Sequence, residues 1–187
     1  MFIKKFKSIS RFSAGILIAS LAVQTGLYAG HTNTVLEAEL DGKQEVALDK
    51  KGKLKNKAGD KNGEGEAYVF GIDGDLFTLC YVLVVEDIQL NPVGPVGQGM
   101  AAHIHEAPEG QNGGVVAVLA GPEDGTAADC LTEGEEGKFP TGEPGIVQRI
   151  LNNPEDFYIN VHNVEFPPGA IRGQLEAVEE DDHDDED

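Results

Sequence analysis

The sequence predicts an all-β fold, an antiparallel Greek-key-type β-sandwich or barrel with one short helix, and three observations predict it. Short stretches alternate apolar and polar residues with the two-residue period of a half-buried strand. Turn signals rich in Gly, Pro, Asn and Asp separate these stretches, and a single segment, around Ile146 to Leu151, carries helical spacing instead. Short strands joined by tight turns favour packed antiparallel layers over a helix-covered parallel sheet.

Residues 1–29 stand apart as a secretory signal peptide. Lys4, Lys5, Lys7 and Arg11 precede the apolar run Ala14 to Val23, and small residues end the segment at Ala29. That run is shorter than the roughly 20 residues of a membrane span, and no cysteine stands near the cleavage region to accept a lipid. The expectation is a secreted or periplasmic protein whose mature chain makes no stable membrane insertion. Residues 30–177 then supply one domain, long enough to bury a real core. Residues 178–187 are an acidic tail, expected to be disordered and to attract divalent cations weakly, by charge alone. The full chain has a formal charge of −19, which excludes nucleic acid as a natural partner.

Taken in order, Thr34 to Leu40 alternates as a first strand and Asp41-Gly42 closes it. From Asp49 to Gly63 the chain is polar and punctuated by glycine. Seven lysines cluster here and just before it (Lys43, Lys50, Lys51, Lys53, Lys55, Lys57 and Lys61), as expected of a solvated loop. Glu64 to Ile72 and the nearly continuous apolar run Leu76 to Ile88 form a hairpin around Asp73-Gly74-Asp75. Asn91 to Gly97, with two prolines and two glycines, breaks any ladder. Ala101 to Glu106 and Val115 to Leu119 are the next strands. Gly121 to Gly145 is read as a long acidic loop, too long for a compact domain unless fastened. Cys80 and Cys130 are the only cysteines, and an even count in an exported chain points to a disulfide that would do the fastening; two buried thiols are the other reading. Ile146, Val147, Ile150 and Leu151 define the helix, which Asn152-Asn153-Pro154 ends. Phe157 to Asn163 and Ile171 to Glu176 complete the strands.

Alternation places His103 and His105 opposite Ala102 and Ile104, and His162 opposite Val161, so all three imidazoles point to the polar side of their strands. Two histidines separated by one residue on a strand can lean toward one ion about 2 Å from each nitrogen. With His162 from a neighbouring strand, the ion has three nitrogen ligands and an open position, a set that suits copper or zinc. The alternative is a surface hydrogen-bond network of these histidines with Glu106, Asn160 and Arg172, the last expected to point outward near His162. Arg172 beside a metal would weaken cation binding and draw an anion to the open position. No nucleophile stands in a triad context and no phosphate-binding glycine motif precedes a helix, which leaves hydrolase readings without support.

Three segments in this order resemble the CHRD domain, named for chordin and found in exported bacterial proteins. They are Leu40-Asp41-Gly42-Lys43-Gln44-Glu45-Val46, then Ala102-His103-Ile104-His105, then Tyr158 to Asn163 with Gly169-Ala170-Ile171-Arg172-Gly173-Gln174-Leu175. The lysine-rich insert after Val46 departs from the family's proline-containing pattern there. The resemblance implies a β-sandwich module without general catalytic activity, here a non-catalytic binding module for an envelope or extracellular ligand. His103-Ile104-His105-Glu106, Val161-His162 and Arg172 are also similar to the pattern of copper-zinc superoxide dismutases, where such histidines bind copper and an arginine guides the anion. That likeness implies the alternative of a copper-dependent oxidoreductase. The chain lacks the further histidines of that pattern, with only His31 and His183 left over.

Overall fold

A computed structural model describes residues 34–90 and 101–178. The segment read as a signal peptide, the Asn91 to Gly97 stretch, His31, and the acidic stretch from Glu179 with His183 lie outside the described residues. The described chain is nearly all antiparallel β-sheet, curled into a near-barrel with one short helix. Its strands are β1 (Val35–Asp41), β2 (Val46–Leu48), β3 (Leu54–Asn56), β4 (Glu64–Ile72), β5 (Asp75–Glu86), β6 (Ala101–Glu106), β7 (Gly114–Leu119), β8 (Thr126–Thr132), β9 (Phe157–His162), β10 (Ile171–Gln174) and β11 (Glu176–Ala177), with helix α1 (Ile146–Asn152) before β9. The main sheet runs β7-β6-β9-β10-β1-β4-β5-β8, and β11 adds to β1.

Strand alternation does the sorting. Leu36, Ala38 and Leu40 of β1, Leu79, Tyr81, Leu83 and Val85 of β5, Ala102 and Ile104 of β6, and Phe157, Ile159 and Val161 of β9 all turn to the concave side and are buried. Each fully buried Leu, Ile or Phe there contributes about 1.5–3 kcal/mol relative to exposure. Helix α1 closes one end with Ile146, Val147 and Ile150. Its first turn is capped from a distance, because the Glu133 carboxylate accepts hydrogen bonds from Gly145 N (2.8 Å) and Val147 N (3.0 Å).

Two stretches differ from the sequence expectation. The lysine-rich segment is not merely a loop: Val46↔Asn56, Ala47↔Lys55 and Leu48↔Leu54 pair β2 with β3 in a separate small hairpin. Its backbone hydrogen bonds satisfy groups that side-chain periodicity cannot reveal, since β3 is exposed at every position. The acidic stretch after Gly121 likewise contains β8, an edge strand anchored in the core by Leu131 alone among its fully buried residues. The predicted disulfide forms between Cys80 and Cys130. It pins β8 to β5 at directly opposed positions rather than tethering a loose loop.

Candidate metal centre

Strand register assembles the site. β6 and β9 pair with Ala101 opposite His162, His103 opposite Asn160 and His105 opposite Tyr158, and β10 continues the rows with Arg172 beside Asn160 and Gln174 beside Tyr158. His103, His105, Tyr158, Asn160, His162, Arg172 and Gln174 therefore share one convex face. The small Ala101 beside His162 leaves its ring free to lean toward His103. Ring centroids are 5.2 Å apart for His103 and His162, 5.7 Å for His103 and His105, and 6.2 Å for His105 and His162. One ring nitrogen of each lies within 4.8 Å of the others.

Two of the rings have their tautomer fixed. His105 Nδ1 lies 3.1 Å from the Gly113 carbonyl, and His162 Nδ1 lies 3.1 Å from the Pro167 carbonyl. A carbonyl only accepts, so each Nδ1 carries the proton and each Nε2 is a bare lone pair. Gly113 is suited to this contact because any side chain there would run into the Glu106 carbonyl. His105 Nε2, His162 Nε2 and His103 Nδ1 are buried and have no hydrogen-bond partner in the protein. Burial, then the neighbouring imidazoles His162 and His105, hold the His103 pKa down to about 4. Burial also lowers His105 and His162, against the opposing pull of their carbonyl hydrogen bonds. All three rings are thus neutral at pH 7, with lone pairs available.

The rest of this face is more enclosed than alternation suggests. Tyr158, Asn160 and Arg172 are 2 %, 4 % and 2 % exposed, because residues 107–113 and the β2–β3 hairpin lie over them. Arg172, expected to point outward near His162, is instead buried. Its guanidinium carbon sits 3.4 Å over the Tyr158 ring, and its Nη1 donates to Gln111 O (2.6 Å) and Asn112 Oδ1 (3.2 Å). Tyr158 in turn stacks on His105, with centroids 4.9 Å apart and planes inclined by 8°. Glu106 does not join the imidazoles: Arg149 grips it through Nη1 and Nη2 and also binds Glu143 (2.9 Å). The parity of β6 explains this, since Glu106 shares the side of Ala102 and Ile104.

Sequence reasoning missed Glu45. It is 2 % exposed and packs where a side chain on Gly169 would collide with its carboxylate. Burial pushes its pKa up to about 7 against the lowering influence of Arg172. Its place next to the buried Arg172 depends on how the β2–β3 hairpin folds back, which no local pattern encodes. Tyr158 was also missed as a partner of His105, although its position on the histidine side of its strand was a usable signal.

With this geometry in hand, comparison with protein families matches the CHRD domain over residues 36–175. That span is well over half of the chain, and the protein belongs to the CHRD domain family. Comparisons with curated proteins and with solved structures give no match.

Proposed function

We propose that this CHRD domain is a non-catalytic binding module that holds a copper or zinc ion through His103, His105 and His162. One observation carries the reading: two of the three imidazoles donate Nδ1–H to a backbone carbonyl, which turns a bare Nε2 toward the others. Metal-bound histidines are characteristically oriented in this way by a second hydrogen bond. Three converging lone pairs with no donor to meet them, on rings that resist protonation, favour a cation that forms directional bonds to nitrogen. A surface hydrogen-bond network fits less well, because Glu106 belongs to Arg149 and Arg172 to Gln111 and Asn112. Closing the nitrogens to the separations of about 3.3 Å that tetrahedral coordination at about 2 Å needs requires only small side-chain rotations.

The setting we propose is outside the cytoplasm, where the Cys80–Cys130 disulfide persists and an envelope or extracellular ligand completes the function. No helix of the described residues is long and apolar enough to cross a membrane. The superoxide dismutase-like alternative is disfavoured because its guiding arginine would have to reach the open position, whereas Arg172 is stacked on Tyr158 under a cover.

The test is calorimetric titration with Zn(II) and Cu(II) of the parent and of the His103→Ala/His105→Ala/His162→Ala variant. A high-affinity phase present only in the parent, and weakening as pH falls toward the range where the imidazoles protonate, is expected. Equal binding by both proteins would move the ligands elsewhere. A superoxide-consumption assay on copper-loaded protein separates the two functions: turnover lost in His105→Ala would replace the binding module with the oxidoreductase.

A further inference from the structure

We infer that the ion this centre selects is monovalent copper, Cu(I), rather than Zn(II) or Cu(II). The inference deepens the metal reading above and rests on it. Three features of the site discriminate by ionic charge.

The donor set is neutral. Among the described residues the group contains three imidazoles and no carboxylate, and both cysteines are consumed in the disulfide, so no thiolate is available. Nothing in the first coordination sphere offsets the charge of the ion. The rings are only partly buried, but the unpartnered nitrogens His103 Nδ1, His105 Nε2 and His162 Nε2 are themselves shut off from solvent. The cost of transferring an ion into a low-dielectric site grows with the square of its charge, so a dication faces about four times the penalty of a monocation in the Born picture.

A fixed positive charge stands close by. Arg172 lies 3.4 Å over Tyr158, and Tyr158 is stacked on His105, which puts the guanidinium one aromatic ring away from a ligand. Among the described residues no carboxylate lies within ion-pair distance of Arg172, Glu45 and Glu109 acting on it only from further away, and its buried Nη2 has no hydrogen-bond partner. Its charge is therefore felt at the centre, more strongly by a dication than by a monocation. Finally, three donors complete the coordination of Cu(I), a closed-shell ion content with trigonal geometry. Zn(II) must in addition hold a water at the open position, which Cu(I) does not need.

The test uses the full chain under anaerobic conditions. Cu(I) is titrated in competition with a Cu(I)-specific chelator, and Zn(II) and Cu(II) are titrated in parallel. The triple alanine variant is subtracted in each case to remove ions held by surface carboxylates. His-dependent affinity for Cu(I) at least 1,000-fold above that for Zn(II) is expected, with Ag(I), a redox-silent monocation, shifting the same imidazole NMR resonances. Zn(II) or Cu(II) binding as tightly as Cu(I) overturns the selectivity and leaves the metal centre standing. His-dependent binding of none of these ions overturns both.

The charge argument has its own readout. Arg172→Gln should narrow the Cu(I) over Zn(II) preference about tenfold while Arg172→Lys largely keeps it, and equal preferences in all three proteins would refute the role of the charge. Should Arg172→Gln fail to fold, the midpoint potential of copper-loaded parent decides: it lies positive of the aqueous copper couple if the centre favours Cu(I), and negative if it does not.

Discussion

The convex surface of the sheet has two halves that alternate alike in sequence and end in opposite environments. On β1, β4 and β5 the outward residues stay in solvent: Tyr68 is 42 % exposed, Val82 41 % and Val84 37 %, beside Glu37, Glu39 and Glu66. On β6, β9 and β10 the outward residues are Tyr158, Asn160, Arg172 and the histidines, more polar by type yet largely enclosed. The difference lies in what crosses over them. Asn112 Nδ2 donates to Val46 O (2.8 Å), joining the cover loop to β2, and Asp60 N donates to Ala170 O (2.8 Å), fastening the base of the hairpin to the chain just before β10. Apolar side chains left open and polar ones covered is the reverse of a simple partition. A covered polar face must be organised by hydrogen bonds and stacking, and those same constraints aim the imidazoles.

The largest effect that would sharpen this contrast is on stability. Arg172→Ala removes the buried cation that stacks on Tyr158, and leaves the Gln111 carbonyl and Asn112 Oδ1 without the donor that Arg172 Nη1 gives them. Losses of about 3–5 kcal/mol follow from breaking buried charged networks of this kind. Tyr68→Ala on the open half should cost within about 1 kcal/mol, as surface substitutions do. Urea unfolding of both variants measures the difference, and equal losses would mean that the covered half is not a distinct polar interior.

Next in size is the disulfide, which belongs to the open half. Cys80→Ser removes a crosslink that spans 50 residues and pins an edge strand with little core of its own. A loss of about 2–5 kcal/mol is expected, with unfolding of the reduced parent matching that of the variant. A variant as stable as the oxidised parent would show that Leu131 and the β5–β8 ladder hold β8 unaided.

Strand periodicity made the histidine face legible. His103, His105 and His162 fall on one side because each alternates with a core residue, and the helix at Ile146 announced itself by spacing and by the prolines around it. The cover was not legible. β3 has no buried residue, so it carries no apolar pattern, and the loop groups that hold Arg172 are the Gln111 carbonyl and the Asn112 side chain, brought there by backbone path rather than residue type. Alternation identifies a side of a strand, whereas exposure depends on distant segments. For that reason Arg172 was expected in solvent, and the buried Glu45 went unnoticed. β8 was missed on similar grounds, since Ala127, Ala128 and Asp129 dilute its one strong anchor.

The smallest expected effect lies in the pH dependence of the metal-free protein, where two groups of the covered half oppose each other. His103 is lowered from 6.5 to about 4, so between those values the unfolded chain binds a proton that the folded chain refuses. Stability from this source is present above about 6.5 and is lost as pH falls toward 4, and the lowered His105 and His162 act in the same direction. Glu45 is raised from 4.5 to about 7, so the folded chain keeps a proton that the unfolded chain has released. Its contribution is complete below about 4.5 and is lost as pH rises through 7. From about 4.5 to 6.5 Glu45 opposes the three histidines, so in the presence of a chelator the parent should lose stability toward acid less steeply than it would without Glu45. Substitution separates them. Glu45→Gln stays neutral at every pH, so the acid-side loss should emerge as a steeper fall below 6.5; the triple alanine variant should instead lose stability as pH rises from 4.5 to 7. Chemical denaturation midpoints of the three proteins across pH 4 to 8 provide the measurement. Parallel curves for parent and Glu45→Gln would mean that the carboxyl is already ionised beside Arg172, and that the covered face holds an ion pair in place of a neutral acid.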